Sequence, residues 1–394
     1  MSLADRLGTP ATAPVHRPRA AHPKGFEPGV RYEASQPVEV TVQLAEIPED
    51  EAKWRAEITR VTGQPLPEHR RVELTQVRYW GDPKQPYVYC RFAITDRESV
   101  ADQLDLEDIL TAVKAVQIGA QPPRNTSRRA LVVAWADLQV GKVGSRGDTE
   151  SLVARVVDKL DALERYASTL GCDSAYLIDV GDCVEGFENV ASQAHTNDLS
   201  FPEQLRVARR LFTEAALRLA KLFPKVTCVG VPSNHGAWRR GKDYLGRPGD
   251  DFGLEMLTSV ADAFSLNRDL GHVNFVVPDV WQETVALDIN GTILAVHHGH
   301  QANRPDGIPA WWSKQVFGGQ PAADADILLT GHFHHLRVQP AGRTVQPDRA
   351  RWWIQAPTLD NGSDWYRLKA GDDTDPALLT FVVDAGGWSR LELL

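Results

Sequence analysis

Five short apolar runs dominate the chain between Ala130 and His334, and each stops at a residue able to bind a metal or move a proton. The sharpest is Ala175-Tyr-Leu-Ile-Asp-Val-Gly-Asp182, where the apolar stretch ends at Gly181 and Asp182 follows at once. Short apolar runs closed by glycine read as buried strands that emerge into loops. In a layered α/β protein, sites assemble in the loops at the carboxyl ends of strands. A lone Gly-Asp is ordinarily a turn or a helix cap. The other runs change that weighting, because they end at Asp137-Leu-Gln139, Ser233-Asn-His235, His297-His-Gly-His300 and Gly331-His-Phe-His334.

Amphipathic segments separate these runs. A strand over Ala130 to Ala136, a helix over Thr149 to Leu170, the strand ending at Gly181, a helix over Pro202 to Phe223, a strand over Val226 to Val231 and a helix over Asp251 to Phe264 follow one another. That is the βαβ order of a parallel sheet with helices outside, with Asp250 or Asp251 capping the last helix. The second half is richer in strands. Glu283 to Ile289 and Thr292 to His297 flank Asn290-Gly291, the strongest short hairpin signal, and a helix near Pro309 to Phe317 precedes Ile327-Leu-Leu-Thr330. Runs around Val338, Arg351 to Gln355, Leu378 to Val383 and Trp388 to Leu393 finish the chain. An α/β fold over residues 130–394, a four-layer α/β/β/α sandwich of two mixed sheets, uses all of these elements.

Residues 1–35, rich in Pro, Ala, His and Arg and without periodic pattern, are expected to form a flexible arm whose Arg17, Arg19, Lys24 and Arg31 read first as solvated and alternatively as phosphate contacts. Strand-like and helical spacing from Val38 to Ile94 then predicts a small α+β accessory domain over 36–120, closed by a helix through Leu106 to Val116, with 121–129 as a linker. Within it, Arg78, Tyr79, Trp80, Tyr87 and Tyr89 read either as a platform for stacking bases or as one hydrophobic strand face.

Composition narrows the class. A chain of 394 residues has room for more than one core. Its net charge of −9 excludes a surface coated in basic charge for non-specific nucleic-acid binding, yet leaves room for one basic groove. The four cysteines lack zinc-like spacing, and a chain this long needs no disulfide staple, which points to a reducing compartment. No run approaches the roughly 18 apolar residues of a membrane span, and the N-terminus lacks the apolar core of a secretion signal. A cytoplasmic protein without a membrane partner is expected.

Asp137, Asp182, Asn234, His297 or His298, His332 and His334 offer carboxylate, amide and imidazole donors without thiolate. That mixture suits Mn²⁺, Fe or Zn²⁺ in a site open to water. A pair of such ions about 4 Å apart clamps both the attacking and the leaving oxygen of a phosphoryl centre.

In this order, the five blocks resemble the calcineurin-like metallophosphoesterase superfamily, whose pattern runs D-x-H, GD-x-x-[DE], [GS]NH, H beside G, and GHxH. The closest likeness is to phage and bacterial relatives of the SbcD-type DNA exonucleases. The resemblance implies that Asp182 bridges two divalent metal ions, Mn²⁺ first among them and Mg²⁺, Fe or Zn²⁺ as alternatives. Asp137, Gln139 and His334 would complete the first ion, and Asn234, His298 and His332 the second. His298 is preferred to His297 because it precedes Gly299. The implied catalytic residues are Asp182 and His235, the latter protonating the leaving alkoxide after a metal-bridging hydroxide attacks phosphorus. His300, His335 and Glu185 would orient ligands or simply pack.

Gln139 departs from the pattern, which has histidine there. A Gln carbonyl can bind a hard cation but gives up imidazole's softer donation, so Gln139 reads either as a tuned ligand or as no ligand. The substrate is expected to be DNA. Gly141-Lys142 extends the first block as in nuclease-like relatives, and Arg239, Arg240 and Lys242 follow His235 where flanking phosphates would lie. The pairs Trp311-Trp312, Trp352-Trp353 and Trp365-Tyr366 could stack bases. The alternatives are a small-molecule or nucleotide phosphatase, and a non-catalytic nucleic-acid-binding subunit with a degenerate site. A homodimer is compatible with the chain, and no segment reads as a dock for a coiled-coil ATPase.

Overall fold

The computed structural model describes residues 22–31, 38–45, 47, 50–66, 70–82, 85–96, 106–117, 127–187, 196–345, 348–362 and 374–394. The chain folds as two compact units, Met1–Ser99 and Val100–Leu394. Most of the expected arm, part of the linker and the pair Trp365-Tyr366 lie outside the described residues.

The first unit contains β1 (Gly29–Arg31), β2 (Val38–Leu44), α1 (Glu51–Thr62), β3 (Arg70–Asp82) and β4 (Gln85–Asp96). Its antiparallel sheet runs β1-β2-β4-β3. Val40, Val42, Val72, Val88, Cys90 and Phe92 close over Ile58 of α1. The helix starts at Asp50, whose carboxylate accepts the Lys53 N–H at 2.8 Å, and stops at Gly63 in the left-handed region. Of the aromatics singled out in this unit, Tyr89 is core, whereas Tyr79, Trp80 and Tyr87 are exposed. They do not share one buried strand face.

The second unit begins with α2 (Leu106–Ala115), and here the structure corrects the expected domain boundary. The helix that was to close the accessory domain instead packs on the second unit, with Ile109, Val113 and Val116 in its main core. The Asn267 side-chain amide ties it down by donating to the carbonyls of Val113 at 2.7 Å and Val116 at 3.0 Å. Its apolar stripe is drawn to the larger apolar surface, which is the helical layer of this unit.

The elements that follow are β5 (Ala130–Trp135), α3 (Thr149–Leu170), β6 (Ser174–Asp179), α4 (Phe201–Leu222), β7 (Val226–Gly230), β8 (Arg239–Arg240), β9 (Asp243–Tyr244), α5 (Phe252–Ser265) and β10 (Val273–Val276). Then come β11 (Val285–Ile289), β12 (Thr292–Val296), α6 (Ile308–Phe317), β13 (Ile327–Thr330), β14 (Arg337–Thr344), β15 (Arg349–Gln355), β16 (Leu379–Asp384) and β17 (Gly387–Leu393). One mixed sheet has the order β10-β7-β6-β5-β16-β17, and a second has β11-β12-β13-β15-β14. The Asn290-Gly291 hairpin joins β11 to β12 with both residues at positive φ, as the tight turn requires.

Period-two alternation explains the layering. Along β5, Leu131, Val133 and Trp135 face the core shared with α3, α4 and α5, while Ala130, Val132 and Ala134 face the second sheet. Both faces are buried, which is why the strand reads as a continuous apolar run. On the far side of the second sheet, Ala295, Leu328 and Trp353 pack on Ile308 and Trp312 of α6. The result is the α/β/β/α sandwich. Trp312 and Trp353 are therefore core residues and not base-stacking ones.

Replacing Ile109 by alanine is expected to lower the stability of the second unit by about 2–5 kcal/mol, the usual cost of emptying a fully buried aliphatic site. Urea unfolding would measure it; a loss below about 0.5 kcal/mol, the range of surface changes, would mean that α2 is peripheral to this core.

Candidate metal centre

The loops after β5 and β6 run side by side. Asp137 N–H donates to the Gly181 carbonyl at 3.1 Å, Gln139 N–H to Asp182 at 2.9 Å, Val140 N–H to Cys183 at 3.2 Å, and Glu185 N–H to Val140 at 3.0 Å. Eight described non-glycine residues have positive φ, and five of them are Asp137, Gln139, Asp182, His332 and His334. Such conformations cost on the order of 1–3 kcal/mol each and persist where surrounding structure over-determines them, characteristically at functional sites. Two glycines make room for the cluster. A Cβ on Gly181 would lie 2.7 Å from both His298 Nδ1 and Ser233 Cβ, and one on Gly331 would lie 2.6 Å from Asp137 Oδ2.

One set of donors converges. The ligand atoms of Asp182, His298 and His332 all lie within 4.8 Å of one another. His298 donates from Nδ1 to the Val180 carbonyl at 2.8 Å, which leaves Nε2 to point at the centre. There it lies 3.0 Å from Asp182 Oδ2 and 3.0 Å from Asn234 Oδ1. Burial opposes charge on His298, yet the neighbouring Asp182 and Asp137 carboxylates push its pKa up to about 9. Burial likewise works against the Asp182 carboxylate, and His298 and His235 outweigh it, holding it well below the usual range. The carboxylates thus favour positive charge at this point, where an N₂O₂ donor set of this kind fits a divalent ion. Burial and the nearby His298 push His332 down to about 2, so its imidazole is neutral and keeps a lone pair to offer.

His297, the alternative from the same strand end, turns away. Its Nε2 is 3.4 Å from Glu283 Oε2, its ring centroid is 4.3 Å from that of Trp311, and burial pushes its pKa down to about 4. His335 also points elsewhere, bonded to the Phe333 carbonyl at 2.6 Å and to Arg337 Nε at 2.9 Å. His300 packs its ring 5.6 Å from that of His298.

The other set is arranged differently. Both Asp137 oxygens accept the His332 N–H, at 3.1 and 3.0 Å, and Asp137 Oδ1 lies 3.5 Å from His334 Nε2. Gln139 offers Oε1 to the Lys142 ammonium at 2.6 Å and presents Nε2 to His235 Nε2 at 3.4 Å. Lys142 also bonds Asp360 Oδ2 at 2.5 Å. Burial opposes the charge on both partners, but Asp360 with Glu185 and Asp137 raises Lys142 overall, and Lys142 with His334 and the Gly362 N–H lowers Asp360. Lys142 is thus turned inward, away from the nucleic-acid contact inferred for the Gly141-Lys142 extension.

His235 is held by its Nδ1, which donates to the Glu185 carbonyl at 2.6 Å, and its backbone N–H donates to Asp182 Oδ1 at 2.8 Å. Its Nε2 lies 3.9 Å from Asp182 Oδ2. His235 opens into a cleft of about 260 Å³, lined also by Phe187, Trp238, Arg239 and Arg240. Lys242, expected beside these arginines, is exposed and lines no part of that cleft.

Buried acids complete the support. Asp251 caps α5 and accepts the Ser233 N–H at 2.9 Å, holding the loop that carries Asn234 and His235. Burial pushes it up to about 6, and pushes Asp179 up to about 7. Sequence pattern marks Asp251 only as a cap, and it misses Asp179 and Asp360. The signal for Asp360 is the same as for Asp182, an acid shortly after a strand, in Ala356-Pro-Thr-Leu-Asp360.

No family model matches this chain, and no curated protein matches it either. Among solved structures, it is similar to a conserved uncharacterised protein from Streptococcus pneumoniae TIGR4 described as a predicted phosphoesterase. That match has 9% identity and a TM-score of 0.25, covering 65% of this chain and 84% of the other. It is also similar to purple acid phosphatase PPD1 from yellow lupin (Lupinus luteus) seeds, with 12% identity and a TM-score of 0.31, covering 88% of this chain and 67% of the other. Likenesses of this size do not bear on what the chain acts on.

Gly181→Ala is expected to weaken Mn²⁺ binding at least about tenfold, equivalent to about 1.4 kcal/mol, because the new methyl must displace His298 or Ser233. Calorimetric titration would measure it, and an unchanged affinity would place the ion elsewhere.

Proposed function

We propose that the protein is a metal-dependent phosphoesterase that hydrolyses phosphodiester bonds, with DNA ends or single strands as substrate. The observation that carries this reading is the convergence of Asp182, Asn234, His298 and His332 beside His235, at the edge of a cleft lined by Arg239 and Arg240. A divalent ion bound by those four residues supplies Lewis acidity toward a phosphoryl oxygen and makes a water more acidic. Manganese is the ion we expect.

The chain's own residues do the rest. With Nδ1 committed to the Glu185 carbonyl, His235 has only Nε2 with which to hold a proton and deliver it to a departing sugar oxygen. Arg239 lays its guanidinium 5.7 Å from the centre of the Tyr244 ring, and with Arg240 supplies positive charge for flanking phosphates. Phe187 and Trp238, both about half exposed, give bases a surface on which to stack. The four cysteines, all buried and unpaired, fit a cytoplasmic setting. Among the described residues, no helix is long and apolar enough to cross a membrane.

Three measurements test this. Labelled single- and double-stranded DNA, incubated with Mn²⁺ and the protein beside bis-p-nitrophenyl phosphate, is expected to be cut. Turnover of the small ester with intact DNA would move the function to small phosphodiesters, and no turnover of either would favour a binding subunit. His235→Ala is expected to lower kcat by about 10²–10⁴-fold with metal content unchanged, the usual weight of a general acid; a kcat within about twofold of wild type would remove His235 from the mechanism. Arg239→Ala/Arg240→Ala is expected to raise KM for DNA and leave that for the small ester alone.

A further inference from the structure

A family-type second ion would be held by Asp137, Gln139 and His334 together with Asp182, and these residues do not fit one. Gln139 has one atom that can ligate a cation, Oε1, and it accepts a hydrogen bond from Lys142 Nζ at 2.6 Å. The same ammonium lies 2.5 Å from Asp360 Oδ2, with Lys142 only 13% and Asp360 1% exposed at their side chains. The two oxygens of Asp137 share a single hydrogen bond, from the His332 N–H. Among the described residues, the only group of three or more His, Cys, Asp or Glu side chains with ligand atoms mutually within 4.8 Å is Asp182, His298 and His332.

An ammonium has three donors and no lone pair, so Lys142 compels the Gln139 oxygen to face it and the Gln139 amide nitrogen to face His235. Asp360, with the Asp137 and Glu185 carboxylates adding to the field, supplies the negative charge that a buried lysine needs. In this chain the one departure from the family motif is bonded directly to the lysine three residues later. A side chain that ligates through an imidazole is replaced by one that accepts from a built-in cation.

Resting on the phosphoesterase reading above, we propose that the site is mononuclear: the Lys142 ammonium is a fixed cation at the place of a second ion, and Asp182, Asn234, His298 and His332 hold the single exchangeable one. A divalent ion entering beside Asp137 and His334 would have to evict a buried, bonded ammonium and leave Asp360 to find another partner. Gln139 is then a positioning residue, linking that cation to His235 Nε2 while that nitrogen carries no proton.

The test is a count of ions. Full-length protein is loaded with Mn²⁺, freed of excess, and examined by elemental analysis and electron paramagnetic resonance. One ion per chain with the hyperfine-split signal of an isolated ion is expected. The double variant Gln139→His/Lys142→Ala is expected to hold two ions with an exchange-coupled signal. Two tightly held ions in the wild-type protein would overturn the inference and leave the phosphoesterase reading in place. No bound ion would overturn both. A folded double variant that stays at one ion would also count against the inference, because the lysine would then not be what excludes the second. If that variant does not fold, the wild-type count and signal decide alone.

Discussion

The contact between the Asp182 carboxylate and His298 Nε2, 3.0 Å across a fully buried site, is the interaction on which the rest of this structure depends. Charge out of water must be partnered closely or it is not tolerated. Asp182 arrives from β6 in one sheet, and His298 and His332 arrive from β12 and β13 in the other. They can meet only if the two sheets pack face to face in one register. Ile178, Val180, Val229, Val296 and Leu329 form the apolar layer between the sheets that sets this register. Burial of those side chains, worth about 25 cal/mol per Å² of apolar surface, aims the polar ones just beyond the strand ends.

The same layer sustains the strain at the rim. Asp137, Gln139, Asp182, His332 and His334 hold backbone conformations that L-residues avoid, and the two loops after β5 and β6 are laced together by main-chain hydrogen bonds. Glycine occurs where no side chain fits, at Gly181 against His298 and at Gly331 against Asp137. The strained positions are mostly those that present donor atoms, and the unstrained sandwich beneath provides the stability they draw on.

Charge within the site is divided between two devices. Around Asp182, donors with lone pairs face a common point, which is what an exchangeable ion requires. In the other set, Lys142 is bonded to Asp360 and to Gln139. His235 stands between the two, touching Asp182 through its main chain and Gln139 through its ring.

Most of the sandwich is legible along the chain, because strand and helix periods are properties of neighbouring residues. The Asn290-Gly291 hairpin, the apolar β5 and β6 runs and the strand-end positions of Asp137, Asp182, Asn234 and His332 all follow from local pattern. What local pattern does not show is which surface an amphipathic helix prefers, so it places α2 in the wrong unit, and it leaves Trp312 and Trp353 open as ligand-facing when they are core. Nor does it show that Lys142 meets Asp360, 218 positions away, or that His298 and not His297 turns inward. The sequence by itself determined the element order and the kinds of donor atom available. The tertiary structure alone decided which lone pairs face one another and which are taken, because that depends on distances between sheets that no period along the chain encodes.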